Sequence, residues 1–482
     1  MKRTLIRLLL FLGAIAASIR TSSSSSSSSS TSTSSSSCHP DDKAALLAMK
    51  AAWGDPKQLA SWAPDSSSSS CCDGDWHHVQ CDDSTSTTTL MRRVTSLSID
   101  DDGGGLVAGA IPDAIAGLTH LENLDLRRLP GLSGPIPPAI ARLSKLAFLT
   151  ISRTGISGPV PSFLGELTSL TELDLSYNSL SGSIPPSSLP CCNLWTIDLR
   201  HNRLTGSLPK LLFSNHPSTS INNRGEEEEE DDDEYNYLID LRLSHNRLSG
   251  PIPPDWSTVR FGTVSLSRNA LTGDPSAALF GRDKPLQMLD ISRNAFSFNL
   301  SAVELPEDLG FMDLSHNDVY GGVPEQAANL QYLNVSYNRL CGELPTGPVP
   351  SFLGSLMKLQ YVDLSRNGFS FNLSSTVAAM PDQLYFSHNA IYGGIPAQVA
   401  NPTNLQFFNV SYNRLYGQIP AGDNMSRCDV FSFQHNKMQL PTVELTSSDD
   451  YDDREESGIE AGDRQPQAEA ERRLDVSVVA PR

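Results

Sequence analysis

Two aspartates, Asp174 and Asp198, hold the same place in successive copies of one phrase, "LTELDLSYN" and "LWTIDLRHN". A carboxylate pair is the equipment of glycoside hydrolysis, which sets two carboxyls ~5 to 9.5 Å apart around a bound sugar. The residue ahead of each asparagine is Tyr177, then His201, then His245 in the next copy. His201 and His245 would begin a metal site, but a third ligand is wanting. The phrase then continues as "LIDLRLSHN", "FGTVSLSRN", "LQMLDISRN" and "LGFMDLSHN". Residues at one place in such a repeat form rows on a shallow open face, which neither encloses a sugar nor excludes water. That favours binding over catalysis. Gly103 to Gly105 lacks the Lys-Ser/Thr of a phosphate loop, so no cofactor, metal or catalytic residue is expected.

The rows need a scaffold, and the phrase spells one. In "LDLSYN", Leu173 and Leu175 alternate with Asp174 and Ser176, the period of a strand with one buried face. One such strand cannot bury its leucines alone, whereas stacked coils form a continuous core and a parallel sheet. Most asparagine spacings fall between 21 and 25, and the phrase "SLSGSIP" or "RLTGSLP" follows the asparagine. Period and consensus match the leucine-rich-repeat class, with about thirteen repeats over 91–420. The asparagine amide is expected to satisfy backbone groups of neighbouring coils. The Ile or Leu before each proline is expected to add a second buried row and a second short sheet. The fold class is an α/β leucine-rich-repeat solenoid: a curved right-handed superhelix with a concave parallel sheet, a short convex sheet and an N-terminal helical cap held by disulfides.

The rest of the chain reads as follows. Residues 1–20, with Lys2, Arg3 and Arg7 before an apolar run, read as a secretory signal, and 21–37 as a serine spacer. In the cap, 38–90, the stretch "DDKAALLAMKAAW" spaces Leu46, Met49 and Trp53 as an amphipathic helix over the first coil. A natural pairing is Cys38 with Cys71 and Cys72 with Cys81, one of three connectivities that four cysteines allow. The net charge of −19 is local: Glu226 to Glu234, inside an insertion at 225–235, carries −9, and Glu444 to Arg482 carries −7. The remainder is near neutral and argues against nucleic acid. Residues 444–482 read as an acidic disordered tail. Sequons stand at Asn299, Asn334, Asn372, Asn409 and Asn424.

The cap "CHPDDKAALLAMKAAWGDPKQLASW", then "CCDGDWHHVQC" and "LSGPIP"-type repeats, resembles the plant polygalacturonase-inhibiting proteins over residues 38 to about 435. The resemblance implies a secreted, cell-wall, non-catalytic protein whose partner is a fungal endo-polygalacturonase, with pectin a further candidate ligand. The alternative it allows is a binding module in floral-organ development or receptor signalling. The family's last repeat reads "SYNRLCG", as at Cys341, yet here 348–420 repeats phrases from nearer the N-terminus, with Tyr416 in the place of that cysteine. We read a duplicated block of three repeats, then a degenerate cap over 421–443 with Cys428 lacking a local partner. Cys191 and Cys192 read as buried free thiols.

On the concave face, one row runs Asp125, Thr150, Asp174, Asp198, Arg242, Ser265, Asp290, Asp313, Asn334, Asp363. A further row runs Arg128, Arg153, Tyr177, His201, His245, Arg268, Arg293, His316, Tyr337, Arg366, His388. Acid beside base with aromatics suits a protein partner. The expected contacts are Asp125, Asp174, Tyr177, Asp198, Arg200, His201, Arg242, His245, Arg268, Asp290, Arg293, Asp313 and His316.

Overall fold

The computed structural model describes residues 37–63, 70–82, 91–100, 107–186, 194–210, 239–342, 359–375, 382–400, 405–422 and 429–439. The leader, serine run, acidic insertion, C-terminal tail, Cys191, Cys192, Cys428 and Asn424 lie outside them. No helix among the described residues is long and apolar enough to cross a membrane.

The leucine phrase forms the main sheet, which has 14 strands in sequence order. All its pairings are parallel except the first, where the cap strand Val79–Cys81 runs antiparallel to Val94–Asp100. Equivalent residues pair across coils: Asp174 with Asp198, Asp198 with Arg242, Asp290 with Asp313. Along the strands the residues of the leucine positions are buried, as at Leu173, Leu175 and Leu289, all 0% exposed.

The second sheet is displaced from its expected place. Its strands lie directly after the repeat asparagine, at Ser179–Gly182, Arg203–Gly206 and Arg247–Gly250, not at the residue before proline. Ile184, which precedes Pro185, is buried without joining a strand. The reason is steric: Gly182, at φ 79°, turns the chain into a region open to glycine, and the proline beyond offers no N–H to a ladder. Seven strands form one such sheet, and two three-stranded sheets follow it.

Asparagine ties the coils together. Asn269 Nδ2 donates to Leu243 O and Leu266 O, and its Oδ1 accepts from Leu248 N, each at 3.0 Å. Asn436 repeats the pattern, donating to Val410 O and accepting from Leu415 N. The segment 429–439 is thus stacked as a further coil, although it adds no strand to the main sheet.

The cap helix spans Pro40–Ala52 and buries Ala45, Leu46 and Met49, the face its spacing predicts. Its first-turn Asp42 is wholly buried and accepts from Arg93 Nε and Nη2 at 2.9 and 2.8 Å and from Val94 N. Disulfides join Cys38 to Cys71 and Cys72 to Cys81. Cys341 is a free, exposed thiol, and Tyr416, its counterpart, is 56% exposed.

Candidate functional site

The concave face carries three rows, two in the strands and one in the turn that follows them. The middle row is the aspartate row, and the structure puts much of it to internal use. Asp174 Oδ1 accepts from Ser176 N at 2.9 Å, Asp198 Oδ1 from Arg200 N at 3.1 Å, and Asp313 Oδ1 from Ser315 N at 2.9 Å. Asp290 does the same with Ser292, and Asn334 with Ser336. A short carboxyl or amide at strand end can reach its own backbone two residues on, and so shapes the turn. One oxygen of Asp174, Asp198, Asp290 and Asp313 is therefore structural; the other meets Arg200 in Asp198 and the Asn334 amide in Asp313.

Two residues upstream on the same strands and the same face stands a row that the repeat phrase does not mark: Glu172, Asp240, Met288, Phe311, Tyr332 and Tyr361. Period 2 alone places residue 172 beside 174, so the signal was present. Together the two rows crowd the N-terminal half with Asp125, Glu172, Asp174, Asp198 and Asp240. Burial raises the Asp125, Glu172 and Asp240 carboxyls above their usual range. Burial, then repulsion from Asp174, pushes Asp198 up to about 6. Arginines offset part of this. Arg127 Nε lies 2.8 Å from Asp125, Arg242 Nη2 3.6 Å from Asp240, and Arg200 Nε 3.1 Å from Asp198. The last is a charge contact, since that Nε makes no hydrogen bond.

The third row is not in the strands. Tyr177, His201, His245, Arg268, Arg293 and His316 all take the left-handed conformation, with φ between 53° and 57°. The chain must turn sharply here to aim the following asparagine inward. A non-glycine residue in that region carries ~1–2 kcal/mol of strain. The amide bonds across the coil compensate: Tyr177 N donates to Arg200 O at 2.9 Å and His201 N to Ser244 O at 2.9 Å. The side chains thereby project at the rim of the sheet and stack as planar groups. Arg153 lies 4.1 Å over the Tyr177 ring, Tyr177 stacks on His201 at 4.2 Å, and His201 on His245 at 3.9 Å. His316 and Tyr337 stack at 4.0 Å. Burial lowers the His201, His245 and His316 pKa values, with neighbouring His245 and arginines adding to the effect at His201.

The expected contacts are thus brought onto one face but in two settings. Asp125, Asp174, Asp198, Arg242, Asp290 and Asp313 lie in the sheet, Arg200 beside them, and the other six at its rim. Asp174 and Asp198 are neighbours in register on the open main sheet. The His201 and His245 rings lie face to face at 16°, which does not aim two nitrogens at one ion. Among the described residues the only group with metal-ligand spacing is Cys38, Cys71 and Cys72, all in disulfides. Of the sequons, Asn334 lies in a concave strand, where its Nδ2 donates to Asp313 at 3.1 Å, and Asn409 lies in another. Asn299 caps a short turn away from that face, and Asn372 precedes a similar turn at Leu373–Ser375.

Residues 39–82 match the leucine rich repeat N-terminal domain, and 169–191, 193–215, 237–259 and 329–356 match the Leucine Rich Repeat. The chain is 44% identical over 312 residues to Polygalacturonase inhibitor 1 of Arabidopsis thaliana, covering 64% of this chain and 85% of that protein. It is 45% identical over 299 residues to the Polygalacturonase inhibitor of Pyrus communis, covering 62% and 80%. Among solved structures it is similar to a plant ice-binding protein, at TM-score 0.51, 32% identity and coverage of 84% and 96%. It is also similar to the Arabidopsis receptor kinase HAESA in complex with a peptide hormone and co-receptor, at TM-score 0.55, 25% identity and coverage of 71% and 58%.

Proposed function

The chain belongs to the polygalacturonase inhibitor family of leucine-rich-repeat proteins, and from that premise we propose that it docks on a fungal endo-polygalacturonase and covers its pectin-binding cleft. The supporting observation is the crowding of Asp125, Glu172, Asp174, Asp198 and Asp240 on neighbouring strands of one open sheet. Such a field attracts and orients a basic surface and raises the rate of encounter. The rim residues Tyr177, His201 and His245 supply flat, pre-stacked area at low entropic cost, which suits an interface centre. No turnover is involved: the protein acts by occupying the cleft. Export, residence in the cell wall and N-linked sugar at Asn299 and Asn372 belong to the same proposal. So does a contact with pectin along the arginines of the rim.

The test is cleavage of pectin by several fungal polygalacturonases with increasing amounts of the protein. Replacing Asp174, Asp198 and His201 together by Ala should weaken inhibition at least tenfold for any enzyme inhibited. Inhibition unchanged by the triple substitution would remove the N-terminal half of the face from the interface. The likeness to a hormone-bound receptor ectodomain favours a second reading, a binding module in signalling or development. Binding to a plant receptor ectodomain with no effect on pectin cleavage would decide for it.

A further inference from the structure

We infer that the C-terminal half of the concave sheet is a second docking surface, built for an extended segment of a protein partner that carries lysine or arginine. The two halves differ in how their carboxylates are balanced. Asp125, Asp198 and Asp240 each face an arginine two residues further along the chain. Asp290, Asp313 and Asp363 lie on strands of the same sheet, and among the described residues none of the three is in an ion pair. Asp313 has an amide, Asn334 Nδ2, on its free oxygen, but no cation.

Beside these carboxylates runs an aromatic wall. Phe311 and Tyr332 stack at 4.2 Å, and Tyr332 and Tyr361 at 4.4 Å, within 9° of parallel. Rings that cover one another's faces turn their edges outward. A glycan needs an open ring face to stack on, so the wall does not suit a sugar. Ring edges do suit the aliphatic stem of a lysine or arginine, whose charged end then reaches the carboxylate. The stack opens at one point. Tyr385 holds the aspartate position next to Asp363 and tilts 42° from Tyr361 at 5.6 Å. This wedge exposes ring face to a cation lying over Asp363.

Burial raises the Asp313 and Asp363 carboxyls, so a cation arriving there relieves a desolvation already present. Asp313 and Asp363 are two strands apart, ~9.6 Å, which matches cations three residues apart on a polyproline II segment, whose three residues per turn and ~3.1 Å rise put them on one side. The surface is independent of the polygalacturonase reading, because any protein presenting such a segment would fit it.

The probe is a synthetic peptide, Arg-Ser-Ser-Arg-Ser-Ser-Arg, with a benzophenone photo-crosslinker, applied to the full-length protein. A matched glutamate peptide is the control. Saturable binding with crosslinks to the strands between Phe311 and Tyr385 is expected. Asp313→Asn with Asp363→Asn should weaken it by about tenfold or more, the loss of two charge-assisted contacts. Asparagine keeps the turn-forming acceptor, as Asn334 does with Ser336 N at 3.1 Å, so the fold is retained. Tyr361→Leu should weaken binding about threefold through the lost ring face. Asp174→Asn with Asp198→Asn should change it less than twofold. Absence of saturable binding overturns the inference. So do crosslinks confined to Glu226–Glu234 or the C-terminal tail, or equal losses in the two double variants.

Discussion

Asp198→Asn isolates the electrostatics of the concave face. Burial, then repulsion from Asp174, holds the native carboxyl at about 6, with Arg200 and Arg242 opposing only in part. In the unfolded chain the same group titrates near 3.9, so the native state binds its proton more tightly. The sign follows. Stability from this group is greatest below about pH 4, falls as pH rises to about 6, and is flat beyond. About two units at 1.36 kcal/mol each put the native penalty at neutral pH near 3 kcal/mol. Asparagine removes the charge but keeps the oxygen that accepts from Arg200 N at 3.1 Å. The variant should therefore gain ~1–3 kcal/mol at pH 7, gain nothing at pH 4, and flatten the slope between. Denaturant unfolding at both pH values measures this. Hydrogen exchange in the strands Glu172–Asp174, Thr196–Asp198 and Ile239–Arg242 reports the local change, since coils need not unfold together. Inhibition should weaken as stability rises. A variant less stable at pH 7, or one that keeps the slope, would refute the desolvation reasoning.

Three further outcomes are expected. Asn269→Ala should cost ~1–3 kcal/mol, because Leu248 N loses its acceptor while Leu243 O and Leu266 O each keep one donor, from Asn246 and Asn294; faster exchange of the Leu248 amide is the local sign. Asp42→Ala should cost ~3–5 kcal/mol by taking the carboxylate from Arg93, which keeps only Thr119 Oγ1, and the acceptor from Val94 N, read as a lowered midpoint of thermal unfolding. Cys72→Ser with Cys81→Ser should cost ~2–3 kcal/mol, a modest figure because that bridge spans only 9 residues; comparing denaturant midpoints with and without reductant checks it.

Much of this protein was legible from its spelling, for a physical reason. A repeat confronts each coil with nearly the same surroundings, so local pattern and final environment agree. Alternation at Leu173 and Leu175 became a buried strand face, and the asparagines became a ladder between coils. The helix over Pro40–Ala52 buried the face its spacing marks. Other features depended on what the stacked coils bring near. Asp42 meets Arg93 across 51 residues, a pairing no local pattern signals. The aspartate row looked free for a partner until backbone amides two residues on were seen to occupy it. Stacking alone set Tyr177 against His201 and Phe311 against Tyr332. Burial of Asp198 beside Asp174 likewise belongs to the assembled sheet. Sequence settles which side chains lie on a given face, because the strand period is local. Their charge state and their partners depend on desolvation and on neighbours a coil away, which exist only once the chain has folded.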